Sequence, residues 1–492
     1  MKKCGLLMPV FSLPSKYGIG SFGKWAYAFV DFLKNSGHTY WQILPLTQTG
    51  FADSPYASCA DASGNPYFID LEILRTKKLL TYREVEGAID KNDYIDYGKL
   101  YVERYALLRK AFSRFDVNDK NFKAFLQKGE FYDYAMFMAI KQKYNDVWMN
   151  WPYELKTRDA NALATFAQEN AQEILFWQFL QFEFRNQYQE LKQYANKKGI
   201  TIVGDLPLYV SLDSVDVWVN PEEFLLDETY HPTIVAGCPP DYFSRTGQLW
   251  GNPIYNYEHM KQNGFAFWKN RVQRARKLYD VIRIDHFRGL DRFWAIPYGH
   301  ETAEHGWWVN APGREIIDAI GREGLIAEDL GLIDDGVRNL MAYAGVGGMK
   351  VLQFAFDSGD NNPYLPWNIN ENSVVYTGTH DNNTTVGLLK SLDDATLESW
   401  KTMIKKSLDY VNVSFKNLRG IKGVAESILD IAYGSNAKLC IVPVQDVLFL
   451  DEKYRINTPG TTGCWTVRIK ESVFTESLAG SLKRRAKRFG RK

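Results

Sequence analysis

Three short segments place acidic side chains directly after apolar, β-rich runs of the sequence. Asp285 follows "VIRI", Glu328 follows "GLIA", and Asp381 follows "VVYTGTH". Two carboxylates about 5 to 5.5 Å apart are what a retaining glycosidase mechanism requires, one as nucleophile and one as acid and then base. The three segments therefore predict acid–base and nucleophilic chemistry on a glycosidic bond, provided that the fold brings them together.

Arg283 and His380 strengthen this interpretation. Arg283 stands two residues before Asp285, and side chains with that spacing on a strand point to the same face. A neighbouring guanidinium favours the ionised carboxylate, so Asp285 is the better candidate nucleophile. The apolar residues that precede Glu328 suggest a less polar setting, which favours a protonated acid. One acidic residue at a strand end is often only a loop cap or an ion-pair partner, but three together favour catalysis.

Other chemistries have weaker support. The Asp-His pairs in "RIDH" and "THDNN" leave a metal site open as an alternative. The seven histidines show no H-x-H or H-E-x-x-H spacing, so we favour a site with no metal and no cofactor. The glycines of "YGIGSFG" lack the strand, helix and downstream acid of a dinucleotide fingerprint, and we interpret them as loop glycines.

Eight short β-rich runs each end in polar, Gly or Pro residues and are followed by helix-like sequence. They span residues 5–10, 40–46, 200–207, 281–287, 324–331, 349–356, 374–381 and 438–446. Strands alternating with helices predict a parallel sheet, and eight such units predict an α/β fold of the closed (β/α)8 TIM-barrel type. The three carboxylates then lie at the C-terminal ends of barrel strands, where barrel enzymes hold their active sites.

Two intervals, residues 47–170 and 208–265, are too long for simple crossovers. Both follow the C-terminal end of a strand, so we predict large insertions that line the active site within one catalytic domain, residues 1–492. We expect no β-sandwich domain after the barrel. The basic segment "SLKRRAKRFGRK" is interpreted as a solvent-exposed helix in preference to a nucleic-acid-binding arm.

Composition narrows the choice of partners. Lys plus Arg total 59 and Asp plus Glu total 58, so no global field favours nucleic acid or an anionic membrane. The five cysteines form no C-x-x-C pair, which indicates a reducing compartment, and no apolar run approaches the roughly 20 residues of a membrane span. We therefore expect a cytoplasmic protein. Aromatic residues make up 15% of the chain, which fits either a large core or a carbohydrate site.

The sequence resembles the 4-alpha-glucanotransferases of glycoside hydrolase family 77, also called amylomaltases or disproportionating enzymes. The likeness covers nearly the whole chain and is carried by "GLLMPVFSLPSKYGIGSFG", "DSPYAS", "GNPYFIDLE", "GQLWGNPIY", "RIDHFRG", "IAEDLG", "TGTHDNNTT" and "NTPGTTGCW". An "RIDH"-like strand alone would fit the wider alpha-amylase clan. The combination of "SPYxSxxxxxGNPY" with "GQLWGNP" is specific to this family.

The resemblance implies Asp285 as nucleophile, Glu328 as general acid/base, and Asp381 as a third carboxylate that holds sugar hydroxyls. It also implies a set of glucan-binding residues: Arg283 and His380 in the donor subsite, with Ser54, Tyr56, Asp205, Gln248, Trp250 and Asn457. The implied partners are α-1,4-glucans and maltooligosaccharides, without nucleic acid, membrane or cofactor, and the protein is expected to be a monomer or a homodimer. Loop packing remains an alternative role for Tyr56 and Trp250, and a turn role remains an alternative for Asn457.

Three positions depart from the family pattern. Asn383 stands where a carboxylate is usual, Cys464 where an Asn commonly precedes the Trp, and Phe51 where a Tyr is frequent. None is one of the three proposed catalytic acids. We therefore expect activity to be retained and acceptor preference to be the property affected.

Nothing in the acids themselves selects a sugar over water as acceptor. We expect that choice to depend on aromatic side chains of the loops, Phe51, Tyr56, Phe243 and Trp250, which can exclude water and bind an acceptor chain. A plain α-glucan hydrolase of the alpha-amylase clan remains the main alternative function. A glucan-binding protein with a decayed catalytic site is a further alternative.

Overall fold

A computed structural model describes residues 2–240, 244–414 and 418–492. Within these ranges the strands are β1 (Lys3–Leu7), β2 (Tyr40–Gln42), β3 (Thr201–Leu206), β4 (Ile234–Cys238), β5 (Gln248–Pro253), β6 (Val281–Ile284), β7 (Arg292–Pro297), β8 (Trp307–Asn310), β9 (Leu325–Ala327), β10 (Gly347–Val351), β11 (Ser373–Tyr376) and β12 (Leu439–Pro443). Strands β1, β2, β3, β6, β9, β10, β11 and β12 pair in parallel, in that order, and β12 closes the barrel on β1. All eight predicted strands and the TIM barrel are confirmed.

The α-helices of the described residues surround this barrel and fill its long crossovers. They are α1 (Lys24–Asn35), α2 (Leu71–Thr76), α3 (Tyr82–Gly87), α4 (Tyr97–Ser113), α5 (Lys120–Gln127), α6 (Tyr132–Tyr144), α7 (Tyr153–Lys156), α8 (Ala160–Glu169), α9 (Ala171–Lys197), α10 (Val215–Val219), α11 (Tyr257–Gln262), α12 (Ala266–Leu278), α13 (Gly313–Ile320), α14 (Asp335–Ala344), α15 (Thr385–Ser391), α16 (Asp394–Tyr410), α17 (Ile421–Gly434), α18 (Val444–Val447) and α19 (Glu476–Arg488). The crossover from β10 to β11 contains a short 3-10 helix, Leu352–Phe354, and no α-helix. None of the described helices is both long and apolar enough to cross a bilayer.

Helix α9 joins the first long interval to the barrel. It packs against α4, α5 and α6 of that interval and against α1 and β3 of the barrel. Gly199 follows its end with a φ of +79°, a left-handed conformation that costs glycine little and other residues more. The chain therefore stops the helix and enters β3 within a few residues.

A second sheet, which the sequence did not predict, lies beside the barrel. Its antiparallel strands run in the order β5, β4, β7, β8. Strands β4 and β5 come from the interval 208–265, whereas β7 and β8 follow the barrel strand β6. The second insertion therefore combines chain from both sides of β6.

The C-terminal segment covers the end of the barrel at which the strands begin. Helix α19 packs on α1 and α17, and no β-sandwich follows β12 in the described chain. Arg491 is buried, and its guanidinium donates to the carbonyl oxygens of Lys3, Tyr433 and Ala437 at 2.9, 2.6 and 3.0 Å. The expectation of a helix is confirmed, but the segment is only partly exposed because this arginine ties it to the barrel.

Candidate active site

Arg283 is the centre of a buried ion network at the C-terminal end of the barrel strands. Its Nη1 donates to both carboxylate oxygens of Asp205, at 2.7 and 2.6 Å, and its Nη2 lies 2.9 Å from Asp285 Oδ1. The parallel register pairs Asp205 with Arg283 on adjacent strands, which explains this contact. Arg283 and Asp205 are almost fully buried, whereas the Asp285 side chain is 28% exposed. The expected contact between Arg283 and Asp285 is confirmed.

Burial raises the pKa of Asp285 above the usual range of an aspartate; Arg283 opposes the rise, and the nearby carboxylates reinforce it. Burial likewise raises the pKa of Glu328, against the effects of Arg283 and of backbone N–H donors. The expectation that the neighbouring guanidinium keeps Asp285 ionised is only partly met, because Asp205 shares the guanidinium and burial outweighs its effect on the pKa of Asp285. The acids of such a cluster share a proton, and they retain it to a higher pH than an isolated carboxyl group would. The direct contact with the Arg283 guanidinium favours placing the charge on Asp285.

Glu328 is held by the backbone of two loops. Its Oε2 accepts the N–H of His286 and its Oε1 accepts the N–H of Leu330, both at 2.8 Å. His286 has a φ of 48° and a ψ of 47°, a left-handed conformation that is uncommon for a residue other than glycine. Sparsely populated backbone conformations of this kind cluster at functional sites. The setting of Glu328 is more polar than its apolar neighbours in the sequence suggest.

Asp381 lies in a hydrogen-bonded chain that leads back to Asp205. Its Oδ1 accepts Asn457 Nδ2 at 2.6 Å, and its Oδ2 lies 3.3 Å from His380 Nε2. His380 Nε2 is in turn 2.9 Å from the hydroxyl of Tyr56, which donates to Asp205 Oδ2 at 2.6 Å. The Tyr56 and His380 rings stack at 5.5 Å with an interplanar angle of 9°. Asn457 and Tyr56 thus bond to acidic side chains and are more than turn or packing residues.

The other predicted binding residues shape the loops beside this network. Ser54 Oγ accepts the Tyr56 N–H at 3.2 Å, and Gln248 Oε1 accepts Trp250 Nε1 at 3.2 Å. The half-buried Trp250 ring meets the His286 ring edge-on at 4.7 Å. Trp250 therefore contacts His286, the residue that directly follows Asp285 in the loop after β6. Direct contact of these side chains with a sugar stays a prediction.

The departures from the family pattern have separate surroundings. Phe51 is 81% exposed, Asn383 accepts Gln353 Nε2 through its backbone carbonyl at 2.8 Å, and Cys464 Sγ accepts the Thr458 N–H at 3.3 Å. Phe243, another expected acceptor contact, lies outside the described residues.

Two supporting residues near Asp381 were not predicted. Arg455 donates from Nη2 to the Asp381 carbonyl at 2.9 Å and from Nε to the Asn457 carbonyl at 2.7 Å. The Trp465 ring lies 5.7 Å from Tyr56 and 6.0 Å from His380. The only sequence signal for Arg455 is its position two residues before the motif "NTPG", which indicates nothing about its partner.

A cluster around Arg288 connects the loop after β6 with the loop after β9. The buried Arg288 guanidinium stacks over the Trp308 ring at 4.2 Å and donates to the Leu332 carbonyl and to Asp334 Oδ2, the latter at 3.1 Å. Asp334 also pairs with Arg292. Since the loop from 328 to 334 carries Glu328 and its Leu330 donor, this cluster fixes the position of the candidate acid.

We expect Arg288→Ala to lower kcat by about 10²-fold with a smaller change in KM, since a misplacement of 1 Å costs a catalytic group roughly that factor. Steady-state kinetics on a maltooligosaccharide measures the loss. Arg322→Ala is the control, because Arg322 is 46% exposed and pairs with Asp318 of α13, away from the loop that carries Glu328. Equal losses in both variants, or an unchanged kcat in Arg288→Ala, would contradict the assignment.

The metal alternative has no ligand set in the structure. Across residues 2–240, 244–414 and 418–492, no three His, Cys, Asp or Glu side chains are grouped as a metal ion would need. The carboxylates at the barrel mouth are paired with Arg283, with backbone N–H groups and with Asn457.

Comparison with known proteins gives consistent matches over the whole chain. A sequence model for the family described as 4-alpha-glucanotransferase matches residues 8–474. The chain is 42% identical over 499 residues to a 4-alpha-glucanotransferase of Clostridium butyricum, covering 98% of this chain and 100% of that one. It is 42% identical over 480 residues to that of Thermus thermophilus, covering 94% of each. The solved amylomaltase from Streptococcus agalactiae in complex with acarbose superposes with a TM-score of 0.94 at 36% identity, over 100% of both chains.

Proposed function

The chain belongs to glycoside hydrolase family 77, the 4-alpha-glucanotransferases, and on that premise we propose that it transfers α-1,4-glucan segments from a donor maltooligosaccharide to the 4-hydroxyl of an acceptor glucan or glucose. Two carboxylates at the ends of adjacent barrel strands support this proposal most strongly. Asp285 contacts the Arg283 guanidinium, and Glu328 accepts hydrogen bonds from two backbone N–H groups. The transferred linkage keeps its α configuration because two inversions occur in sequence.

The first step breaks the glycosidic bond. Glu328 gives its proton to the glycosidic oxygen while an Asp285 oxygen attacks the anomeric carbon, and the shortened glucan leaves with the proton. The second step reverses these roles. Ionised Glu328 takes the proton of an acceptor 4-hydroxyl, whose oxygen displaces Asp285. The enzyme returns to its starting protonation state, and no electron or cofactor is required.

The remaining network positions the donor sugar. Asp381, fixed by Asn457 and His380, presents its partly exposed carboxylate to the cleft. Asp205 is fully buried and has both oxygens engaged by Arg283 and Tyr56. We therefore assign Asp205 to orienting these two residues, and its direct contact with glucan stays a prediction.

Selection of a sugar acceptor over water is assigned to Trp250. The sequence suggests the same role for Tyr56, but the Tyr56 hydroxyl lies within the catalytic hydrogen-bond chain, so its loss would affect donor chemistry as well. Within the described part of the chain, the Trp250 indole N–H donates to Gln248, and the ring meets His286 edge-on and lies near the Tyr209 ring. Its replacement therefore separates acceptor binding from donor chemistry more cleanly.

We expect Trp250→Ala to lower the ratio of transfer to hydrolysis roughly 10-fold. An aromatic platform is worth about 1 to 3 kcal/mol by analogy with base stacking, and 1.4 kcal/mol corresponds to tenfold in binding. Water, at fixed concentration, loses nothing. The measurement compares free reducing ends formed with glucose units transferred. Trp307→Ala is the control, because Trp307 lies on β8 of the same sheet and is 46% exposed; an unchanged ratio in Trp250→Ala would assign this ring to donor binding or folding.

Incubation with maltotriose alone tests the proposed function. A glucanotransferase produces glucose and a ladder of longer maltooligosaccharides, which chromatography resolves. Formation of glucose and maltose only would instead indicate the hydrolase alternative. Unchanged maltotriose would favour a glucan-binding protein.

We further propose that residues 1–492 act as one catalytic domain, a monomer or homodimer, in the cytoplasm. The insertions 47–170 and 208–265 are proposed to line its active site. This is supported by Tyr56 and Trp250, which extend from these intervals to His380 and His286.

A further inference from the structure

Asp329, the residue that follows the candidate acid Glu328, is a buried carboxylate with no part in the two steps of transfer. Its side chain is 7% exposed. Its Oδ1 accepts the backbone N–H of Met349 at 2.5 Å, and its Oδ2 lies 3.3 Å from Lys350 Nζ. Both partners belong to β10, the strand next to β9 in the barrel. Asp329 therefore ties the end of β9 to β10 with a charged side chain.

Gly348 leaves the space in which this carboxylate lies. A Cβ atom at position 348 would come within 2.4 Å of Asp329 Oδ2 and 2.6 Å of its Cγ. Gly348 pairs with Ala327 in the register of β9 and β10, so a side chain at this position would displace the Asp329 carboxylate. A glycine inside a strand often marks such a close approach, and here it makes room for the ion pair.

The backbone that Asp329 holds carries the groups that fix Glu328. The Glu328 N–H donates to the Ile284 carbonyl and the Glu328 carbonyl accepts the Phe287 N–H, both at 3.1 Å. These bonds tie the acid to β6 and its loop. The Leu330 N–H, which comes directly after Asp329 in the chain, donates to Glu328 Oε1 at 2.8 Å. Asp329 supplies the corresponding tie to β10, on the opposite side of β9.

Tyr364 covers the ion pair from the loop between β10 and β11. Lys350 Nζ lies 5.5 Å from the centroid of its half-buried ring, a distance at which a cation is attracted to the ring face. The Tyr364 N–H donates to Asn362 Oδ1 at 2.8 Å, and Asn362 Nδ2 donates to the Phe354 carbonyl at 2.7 Å. Lys350 is therefore held in place by a bonded loop, and its pair with Asp329 is largely removed from solvent.

Asp329 also places a negative charge beside the acid. Burial raises the pKa of Glu328, Arg283 and two backbone N–H groups oppose the rise, and Asp329 adds to it. A nearby like charge favours the neutral form of a carboxyl group. Titratable or charged groups also face Glu328 from the end of β6, the loop after it and the loop after β10, namely Arg283, Asp285, His286 and Tyr364.

We propose that Asp329 is a positioning residue for Glu328, which it holds through Met349 and Lys350 and keeps protonated through its charge. The proposal rests on the proposed function and deepens it, because Glu328 must give a proton to the glycosidic oxygen in the first step. Asp329 acts through Glu328 and exchanges no proton with the glucan.

A comparison of two donors tests this role, since maltotriose needs the acid whereas α-maltosyl fluoride loses fluoride without a proton. We expect Asp329→Ala to lower kcat for maltotriose about 10²-fold with little change in KM, the cost of misplacing a catalytic group by roughly 1 Å. Fluoride release in a single turnover should stay close to the parent rate. A purely structural role would lower both rates alike, and that result would overturn the proposal.

Gly348→Ala provides a second test that changes no charge. The added Cβ displaces the Asp329 carboxylate, so this variant should show the same selective loss with maltotriose. In the double variant with Asp329→Ala, the Cβ occupies space that the carboxylate has left. The double variant should therefore lose no more than Asp329→Ala alone, and losses that add would contradict a shared cause.

Asp329→Asn tests the charge, because the amide oxygen can still accept the Met349 N–H. The pKa of Glu328 should fall in this variant, so the alkaline decline of activity on maltotriose should begin at a lower pH than in the parent. Asp409→Asn, a change at an exposed position near the C-terminal end of α16, is the control and should keep the parent profile. A parent-like profile in Asp329→Asn would contradict the proposal.

Melting temperatures identify any variant that fails to fold, and Asp329→Asn, which preserves the shape of the side chain, decides the question in that case. A parent that hydrolyses maltotriose without transfer would refute the proposed function and leave these comparisons intact, because both reactions need the acid in the first step. A parent that transfers glucan, combined with equal losses for both donors in Asp329→Ala, would refute this inference alone.

Discussion

Asp285→Asn is expected to lose at least about 10⁴-fold in kcat for glucan transfer, since removal of the nucleophile in other covalent enzymes costs that much or more. An amide cannot form the glycosyl ester. The substitution preserves the size of the side chain beside Arg283, so donor binding should change little. Initial rates of glucose release from maltotriose measure the effect.

The control for this prediction is Asp335→Asn, because Asp335 is 91% exposed at the start of α14 and should keep the parent rate. Transfer by Asp285→Asn at close to the parent rate would remove Asp285 from the nucleophile role. Asp285→Asn does not alter either partner of the Arg283–Asp205 pair, so the variant should fold. A melting curve compared with that of the parent tests this.

Glu328→Gln is expected to lose about 10²- to 10⁴-fold with ordinary maltooligosaccharides, the usual contribution of general acid–base catalysis. An activated donor such as α-maltosyl fluoride should restore the first step, because fluoride leaves without a proton. Glu323→Gln, a change at an exposed position before β9, is the control. Equal losses with both donors would contradict the acid role.

The pH dependence provides a second measurement on the same variant. Burial raises the pKa of Glu328, so the parent keeps its acid protonated to higher pH than an exposed glutamate does, and activity falls as the pH rises through that pKa. With the activated donor, Glu328→Gln should lack this alkaline decline in the first step. An unchanged alkaline decline would assign it to another group.

The barrel and its three carboxylates could be predicted because both depend on local pattern. Strands buried on both faces are continuous apolar runs, and the residues after Ile284, Ala327 and Tyr376 must emerge at the same rim in a parallel barrel. The same-face spacing of Arg283 and Asp285 likewise follows from strand geometry.

The features that the sequence did not predict depend on contacts between distant segments. Asp205 shares Arg283 because of the register between β3 and β6. A histidine adopts the left-handed conformation more often than most residues do, but its type does not indicate that the His286 N–H is directed to Glu328. Strand β7 pairs with β4 and β8 pairs with β7, and this pairing between separate segments of the chain is set by tertiary packing more than by propensity. The Arg288 cluster depends likewise on contacts between distant segments, since Trp308 comes from β8 and Asp334 from the loop after β9.

The central claim is a covalent glycosyl ester on Asp285, and trapping that ester is its most direct test. In Glu328→Gln, α-maltosyl fluoride should form the ester without an acid and then wait, because the second step lacks its base. Acid quenching, digestion and mass spectrometry should find one maltosyl unit on the peptide that contains Asp285, attached at that side chain. A maltosyl group attached at position 205, 328 or 381 would contradict the mechanism. Release of product while Asp285 stays unmodified throughout the reaction would contradict it as well.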